Sequence, residues 1–247
     1  MSLSIIIPVK NEEKIIEETL KYFANSWIKE IENEIIIIDD FSDDATLEKI
    51  KKFHDQNLNL KIIQNKKPGL GSAISMGIEN SSKQFVVIFM ADLSDNVIDL
   101  KEYYTIINNH KCDAIFGSRF INGSVVKNYH ITKYILNRIA NNIISLIFFI
   151  KYNDCTNAFK IYKKSTLLKL FPLISDNYNI FLELPLKIIC RKYNYKIIPI
   201  SWNGRKKGIT KFNFKELRSK YIFTMLYCLL EKILLKKWFN NYQLILT

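Results

Sequence analysis

The stretch LSIIIPVKNE, residues 3–12, decides the fold class. Leu3–Ile7 is a short apolar run rich in β-branched residues, as expected of a strand buried on both faces of a parallel sheet. It ends at Pro8 and a polar cluster. Asn11 is placed to cap a following helix, and Glu12 and Glu13 suit the first turn of that helix. Ile15, Ile16, Leu20 and Phe23 then recur at helical spacing. The same alternation runs on downstream. Glu34–Ile38 predicts a second buried strand ending at Asp39 and Asp40. Ser42 or Asp43 is placed to cap the next helix, whose apolar face carries Leu47, Ile50 and Phe53. Leu60–Gln64, Phe85–Met90 and Asp113–Phe116 predict further strands, and Ser72–Glu79 and Val97–Ile107 predict helices between them. Strands alternating with helices of this length specify an α/β fold, a mainly parallel sheet flanked by helices and joined by right-handed crossovers.

The second half of the chain changes character. Ile131–Ile150 predicts a helix with Ile135, Ile139, Ile143 and Ile147 on one stripe, and Lys127, Lys133, Arg138 and Lys151 in or beside it. Phe214–Phe239 predicts another amphipathic helix, with Lys232, Lys236 and Lys237 near its end. No internal repeat, low-complexity linker or Pro- or Gly-rich boundary divides the chain. The simplest division is a domain over residues 1–212, which includes an interfacial helix at about 131–150, followed by a C-terminal amphipathic helical region over 213–247. Apolar stripes flanked by cations suit helices lying on anionic lipid. Packing against the core or against a second subunit is the competing reading, so a homo-oligomer stays open. No apolar run reaches the roughly 18–20 residues of a spanning helix, and the first residues show no secretory signal. The expected location is cytoplasmic, peripheral on the cytoplasmic face of a membrane.

Hydrophobic residues make up 48% of the 247 and charged residues 24%, enough apolar material for a sizeable core. The formal net charge of +12 favours anionic partners: nucleic acid, a phospholipid surface or phosphorylated small molecules. The basic residues are spread along the chain and form no nucleic-acid motif, so no nucleic-acid partner is expected. The four cysteines, Cys112, Cys155, Cys190 and Cys228, are widely spaced, which argues against a zinc site or redox pair and for a reducing compartment.

Ligands of open α/β sheets bind outside the carboxyl ends of the strands, and the polar clusters fall there: Pro8–Glu12, Asp39–Asp43 and Asp92–Asp95. Several carboxylates gathered at one strand end, as Asp39, Asp40 and Asp43 are, need neutralising or donor partners, which a sugar or nucleobase offers. The competing reading is a solvated turn with a helix cap, the better one for Asp43. Asp92, just beyond a strand, is placed to hold a divalent cation against a diphosphate, with Ser94 or Asp95 beside it; a simple cap is the alternative. Gly69 and Gly71 form a tight turn before a helix, read as turn and cap ahead of a phosphate loop. Arg119, and Arg205 with Lys211 in a Gly-bearing loop, supply cations suited to phosphate, or else solvated charge.

Taken in order, SIIIPVKNEE, EIIIIDDFSDDAT, PGLGSAISMG, FMADLSD, GSRFINGS, NRIANNI, DCTNAFKIYKK, FLELPLKI and PISWNGRKKGITK resemble the family-2 inverting glycosyltransferases of the GT-A fold. The likeness is greatest to the dolichol-phosphate mannose synthase and polyprenyl-phosphate glycosyltransferase branch, and it runs from about Ser4 to Lys211. The resemblance implies a GT-A nucleotide-sugar-binding fold. It implies transfer, with inversion, from a GDP- or UDP-linked sugar to a polyprenyl or dolichyl phosphate in envelope or surface-glycan synthesis. It puts Pro8, Lys10, Glu12, Ile37, Asp39, Asp40 and Ala91 in the nucleotide-sugar site, together with Asp92, Arg119, Arg205 and Lys211. It makes Asp92, Arg119 and Arg205 catalytic, assigns Mg2+ or Mn2+ to Asp92 and Ser94, and gives the acceptor phosphate to Arg119 and Arg138. Glu183 matches a structural position. Two departures from the pattern matter. Met90 replaces the first Asp of the DxD-type motif, which motivates a non-catalytic nucleotide-sugar binder as an alternative. Asn157 stands where this branch often has Gly, on the acceptor side, and a soluble or glycan acceptor is a further alternative. None of the three histidines falls in a matching segment. An ionised phosphate acceptor needs no base, only positioning and charge shielding.

Overall fold

A computed structural model of the chain describes residues 2–53, 58–109, 111–205 and 214–245, with the side chains of the C-terminal helix described from Ser219 to Leu235. Lys211 lies outside the described residues, as do His54 and His110. Strands β1 (Ser2–Val9), β2 (Glu32–Asp39), β3 (Leu60–Gln64), β4 (Phe85–Ile88), β5 (Ala114–Ser118), β7 (Lys160–Lys163) and β8 (Tyr195–Pro199) form one sheet, in the order β3-β2-β1-β4-β7-β5-β8. β6 (Val125–Lys127) and β9 (Ser201–Asn203) pair apart from it, in parallel. β1, β2, β3 and β4 run parallel, with Ile5 opposite Ile35 and Leu3 opposite Phe85.

Strand alternation divides the isoleucines between two cores, because successive side chains point to opposite faces. Ile5, Ile7, Ile35 and Ile37 pack on one face with Leu20 and Phe23 of α1 (Ile16–Ala24), Ile50 of α2 (Thr46–Lys52) and Leu100 of α4 (Val97–Asn109). Ile6, Ile36 and Ile38 pack on the other with Ala73 and Ile74 of α3 (Leu70–Asn80) and with α7 (Ile180–Cys190). α5 (Ile131–Phe148) and α6 (Lys164–Lys169) lie on this second side. α8 (Phe214–Ile245) packs along α7, where Thr224 and Cys228 are fully buried.

The fold is the mixed α/β architecture read from the sequence, with three local corrections. α1 begins at Ile16, so Asn11 does not cap it. Asn11 instead adopts a left-handed backbone, φ 49°, which Asn tolerates, and its side chain crosses to Asp43. α2 begins at Thr46, whose N–H is accepted by Asp44 at 2.9 Å, so neither Ser42 nor Asp43 is the cap. β7 enters antiparallel between β4 and β5, where a purely parallel order would have made those two neighbours. All four cysteines are buried and unpaired.

Candidate active site

The carboxyl ends of β1 and β2 lie side by side, Val9 opposite Asp39, and their turns are laced together. The Asn11 N–H donates to Ser42 Oγ at 3.0 Å, that of Glu12 to Thr46 Oγ1 at 2.8 Å and that of Glu13 to Asp44 Oδ2 at 3.2 Å. The Asp43 N–H returns to Asn11 Oδ1 at 2.9 Å. These short polar residues satisfy each other's backbone groups and so fix both turns. Asp40 is buried; its Oδ1 accepts from Asn65 at 2.7 Å and from the Gly69 N–H at 2.8 Å, and Lys10 stands 3.8 Å from Oδ2. The glycines serve a close approach of backbone. Asp176 O accepts the Gly71 N–H at 3.0 Å, and a Cβ on Gly69 or Gly71 would lie 2.2 or 2.3 Å from the carbonyl oxygens of Asp176 or Ser175. The first turn of α3 is therefore capped by protein, the turn-and-cap reading of this segment.

Beyond β4 the chain turns at Leu93, φ 55°, and Asp92 Oδ1 accepts the Ser94 N–H at 3.1 Å. This turn is pinned from both sides. Thr19 Oγ1 donates to Ala91 O at 2.7 Å, and the Asn203 N–H donates to Ser94 O at 2.9 Å. β9 thereby delivers Arg205 to the mouth of the crevice. Arg205 forks onto Glu12 through two bonds of 2.9 and 3.1 Å, and its Nε lies 3.2 Å from Asp92 Oδ2. Burial works against the guanidinium charge, but the Glu12 bonds and the Asp92 charge outweigh it and raise the Arg205 pKa. Glu12, Asp92 and Arg205, called from three distant segments, are thus joined directly.

Arg119 lies deeper, 9% exposed. It grips Asp154 through Nε at 2.9 Å and Nη2 at 2.7 Å, and its backbone N–H reaches the same carboxylate at 2.9 Å. The rings of Phe120, Tyr129 and Trp202 surround its guanidinium at 5.3–5.4 Å. Arg138 stacks over the other end of this cluster, 4.4 Å from the Phe120 centroid, and donates to Asn153 O at 3.1 Å. Ile37 is not brought to the crevice by its side chain, which is fully enclosed with Ile35 in the core; strand alternation points it away. Ala91 is likewise buried. Glu183 is buried against Lys187 at 2.7 Å and accepts the N–H groups of Ile174 and Ser175, a structural role.

The segment 4–171 matches the family description Glycosyl transferase family 2. The chain belongs to that family. A dolichol-phosphate mannosyltransferase of Pyrococcus furiosus is 27% identical over 231 residues, which cover 92% of this chain and 62% of that protein. The chain therefore spans about six-tenths of the length of this relative. A poly(ribitol-phosphate) β-N-acetylglucosaminyltransferase of Staphylococcus aureus, TarS, is 30% identical over 117 residues, 47% of this chain and 20% of that one. Among solved structures, glucosyl-3-phosphoglycerate synthase from Mycobacterium tuberculosis, in complex with Mn2+, UDP and phosphoglyceric acid, superposes with a TM-score of 0.71. That match covers 92% of this chain and 78% of the other at 13% identity, a likeness of fold.

Within the family-2 frame Asp154, Trp202, Tyr129 and Lys160 carried no role in the sequence reading, and Asp95 only that of an alternative to Ser94 beside Asp92. Asp154 holds Arg119. Trp202 and Tyr129 enclose it. Asp95 is 4% exposed, bridges to Trp202 through the backbone, and leaves its buried Oδ1 without a hydrogen-bond partner among the described residues. Burial first, and the Asp92 charge next, push the Asp95 carboxyl up to about 8. Lys160 is fully enclosed, donates to the carbonyls of Cys155, Asn157 and Phe181, and is pushed down to about 7 by burial. Position inside a matching segment was the only signal for Asp154, Lys160 and Trp202, and Tyr129 lies outside every matching segment.

Among the described residues no three His, Cys, Asp or Glu side chains gather into a metal cage. Met90 packs against the second core and offers no oxygen. Asp92, whose Oδ1 accepts the Ser94 backbone N–H, fits a hard cation whose remaining ligands are phosphate oxygens, since such cations accept few protein carboxylates where a substrate phosphate completes the shell.

Proposed function

We propose that the protein is a glycosyltransferase moving a sugar from a GDP- or UDP-linked donor to a polyprenyl or dolichyl phosphate, with inversion, in the synthesis of envelope or surface glycans. The observation that carries this reading is the Glu12–Arg205–Asp92 cluster at the carboxyl ends of β1 and β4. It sets a forked guanidinium where a donor diphosphate would exchange for the carboxylates. Lys10, Asp39 and Asp40 line the nucleotide side, with the backbone of Pro8 and Ile37 beneath them and Ala91 shaping the floor. Lys211, six residues further along the sequence, is assigned to the same diphosphate. Mg2+ or Mn2+, held by Asp92 and Ser94, would neutralise the charge that develops on the leaving diphosphate. Arg205 shares that task.

In the transfer, an oxygen of the acceptor phosphate attacks the anomeric carbon. The bond from that carbon to the diphosphate breaks, and the nucleoside diphosphate leaves with the electron pair. The attacking phosphate is already ionised near neutral pH, second pKa about 6, so no base is required. Arg138, held over Phe120, and Arg119, held by Asp154, place cationic charge on the acceptor side. α5 and α8 support a membrane-bound acceptor. Ile135, Ile139, Leu146, Leu226, Leu230 and Leu234 are each about half exposed or more, and apolar side chains gathered on exposed helix faces mark protein or membrane contact. Lys133, Lys232 and their basic neighbours flank it. This surface suits peripheral attachment on the cytoplasmic face, where the four free cysteines stay reduced.

The test is release of nucleoside diphosphate from a panel of GDP- and UDP-sugars, with and without polyprenyl phosphate in vesicles, in Mg2+ or Mn2+. Lipid-dependent release with one donor, abolished by Asp92→Ala, is the expected result. Release that ignores the lipid would overturn the acceptor, and nucleotide binding without turnover would make the protein a binder.

A further inference from the structure

Phe41 stands at the mouth of the crevice, between Asp40 and Ser42. Its backbone is left-handed, φ 59°, and its side chain is 44% exposed. A bulky residue in that region is a genuine outlier, and glycine would carry the same backbone without cost. The surroundings impose the conformation. The Asp40 N–H is held by Val9 O at 2.8 Å, the Ser42 N–H faces the Asp39 carboxylate at 3.3 Å, and Ser42 Oγ is taken by Asn11. Such strain survives where neighbouring structure over-determines it, and it concentrates at ligand sites.

Packing does not account for the ring. Phe41 joins neither apolar core, and among the described residues it stacks on no other aromatic side chain. The turns around it, residues 8–13, 39–46, 64–69 and 92–95, contain no second aromatic residue. The chain thus holds a half-exposed ring, at the expense of backbone strain, next in sequence to the strand-end carboxylates Asp39 and Asp40.

We propose that Phe41 is the platform on which the nucleobase of the donor stacks. The proposal rests on the nucleotide-sugar reading above and deepens it by assigning the base a specific contact. A purine or pyrimidine presents a π-face to the ring, so stacking contributes affinity for either base while leaving discrimination between them to hydrogen bonds. The strained, over-determined backbone fixes where the ring starts. Less ordering is then required on binding.

The full chain is titrated with UDP and with GDP, and separately with inorganic pyrophosphate, by calorimetry. Phe41→Gly and Phe41→Asn, which keep the backbone comfortable and remove the ring, are expected to weaken the nucleotide that the wild type binds by roughly fivefold to 150-fold. Pyrophosphate affinity should stay unchanged, and the thermal midpoint should not fall. Phe41→Trp should retain nucleotide affinity and report binding through quenching of its fluorescence. Nucleotide affinity unaltered by Phe41→Gly, or an equal loss for pyrophosphate, would overturn the stacking role. A wild type that binds neither nucleotide would overturn the donor reading as well, so the two failures are distinguishable.

Discussion

Replacing Lys187 by Met should unfold this protein far more easily than its conservative shape suggests. Lys187 and Glu183 are both fully enclosed, one helical turn apart on α7, with Nζ 2.7 Å from Oε1. The ammonium also donates to Pro172 O at 2.7 Å and to Leu170 O at 3.1 Å, and the carboxylate accepts from the N–H groups of Ile174 and Ser175. Met fills the same volume but strands a buried carboxylate and two buried carbonyls. Breaking one side of a buried pair costs about 3–5 kcal/mol. That is a large share of a total stability of about 5–15 kcal/mol. For a chain of this size each kcal/mol moves the midpoint by about 2–4 °C, so a fall of roughly 6–20 °C is expected. Urea denaturation followed by circular dichroism gives the free energy, and scanning calorimetry gives the midpoint. Adding Glu183→Gln to the same variant removes the unpaired charge while keeping an acceptor for the 174–175 backbone. At least half the loss should return. A single variant within about 1 kcal/mol of wild type, or a double variant worse than the single, would refute the reasoning, because either result means the carboxylate is not charged and dependent on Lys187.

Two further predictions concern the crevice. Arg205→Ala should lower turnover by at least about a hundredfold, and Arg205→Lys should recover only part of it, because lysine keeps the charge but not the fork that spans two anions; steady-state kinetics with the donor that the release assay selects measures both. Asp95 gives a pH signature. Its folded carboxyl, raised to about 8 by burial and then by Asp92, holds a proton that the unfolded chain releases near 3.8, the ordinary aspartate range. Stability therefore declines as pH rises through that window. Asp95→Asn should be more stable than wild type at neutral pH, by a margin that closes toward about pH 4. Urea titrations at several pH values test it, and a margin that widens on acidification would reverse the assignment.

The site was legible where a segment carried its own signal. Asp39, Asp40 and Asp92 follow apolar runs that can only be strands, and a strand end in such a sheet is where ligands bind, so position alone marked them. Arg205 sat in a Gly-bearing basic loop, but nothing local said that it would meet Glu12, which lies almost the whole chain away. Asp154 and Trp202 were invisible as partners of Arg119 for the same reason. For Ile37 the sequence did not say which atoms would reach the site: its side chain points into the core, since neighbours on a strand face opposite ways, and only its backbone is left to the nucleotide side. β7 escaped notice because four residues flanked by lysines give no periodic signal, and only the fitting of β4 against β5 reveals the gap that it fills.

The sequence by itself determined the α/β class, the order and approximate bounds of the strands and helices through β5, and the family. Those properties are written in the period of the apolar residues and in short motifs, both local in the chain. Tertiary structure alone decided which charges meet. It paired Arg205 with Glu12 and Asp92, buried Arg119 on Asp154, closed the Lys187–Glu183 pair and left the Phe41 ring half exposed beside Asp40. Ion pairing and burial depend on distances between residues far apart in sequence, and a one-dimensional pattern carries no such distances until the sheet has brought its strand ends together.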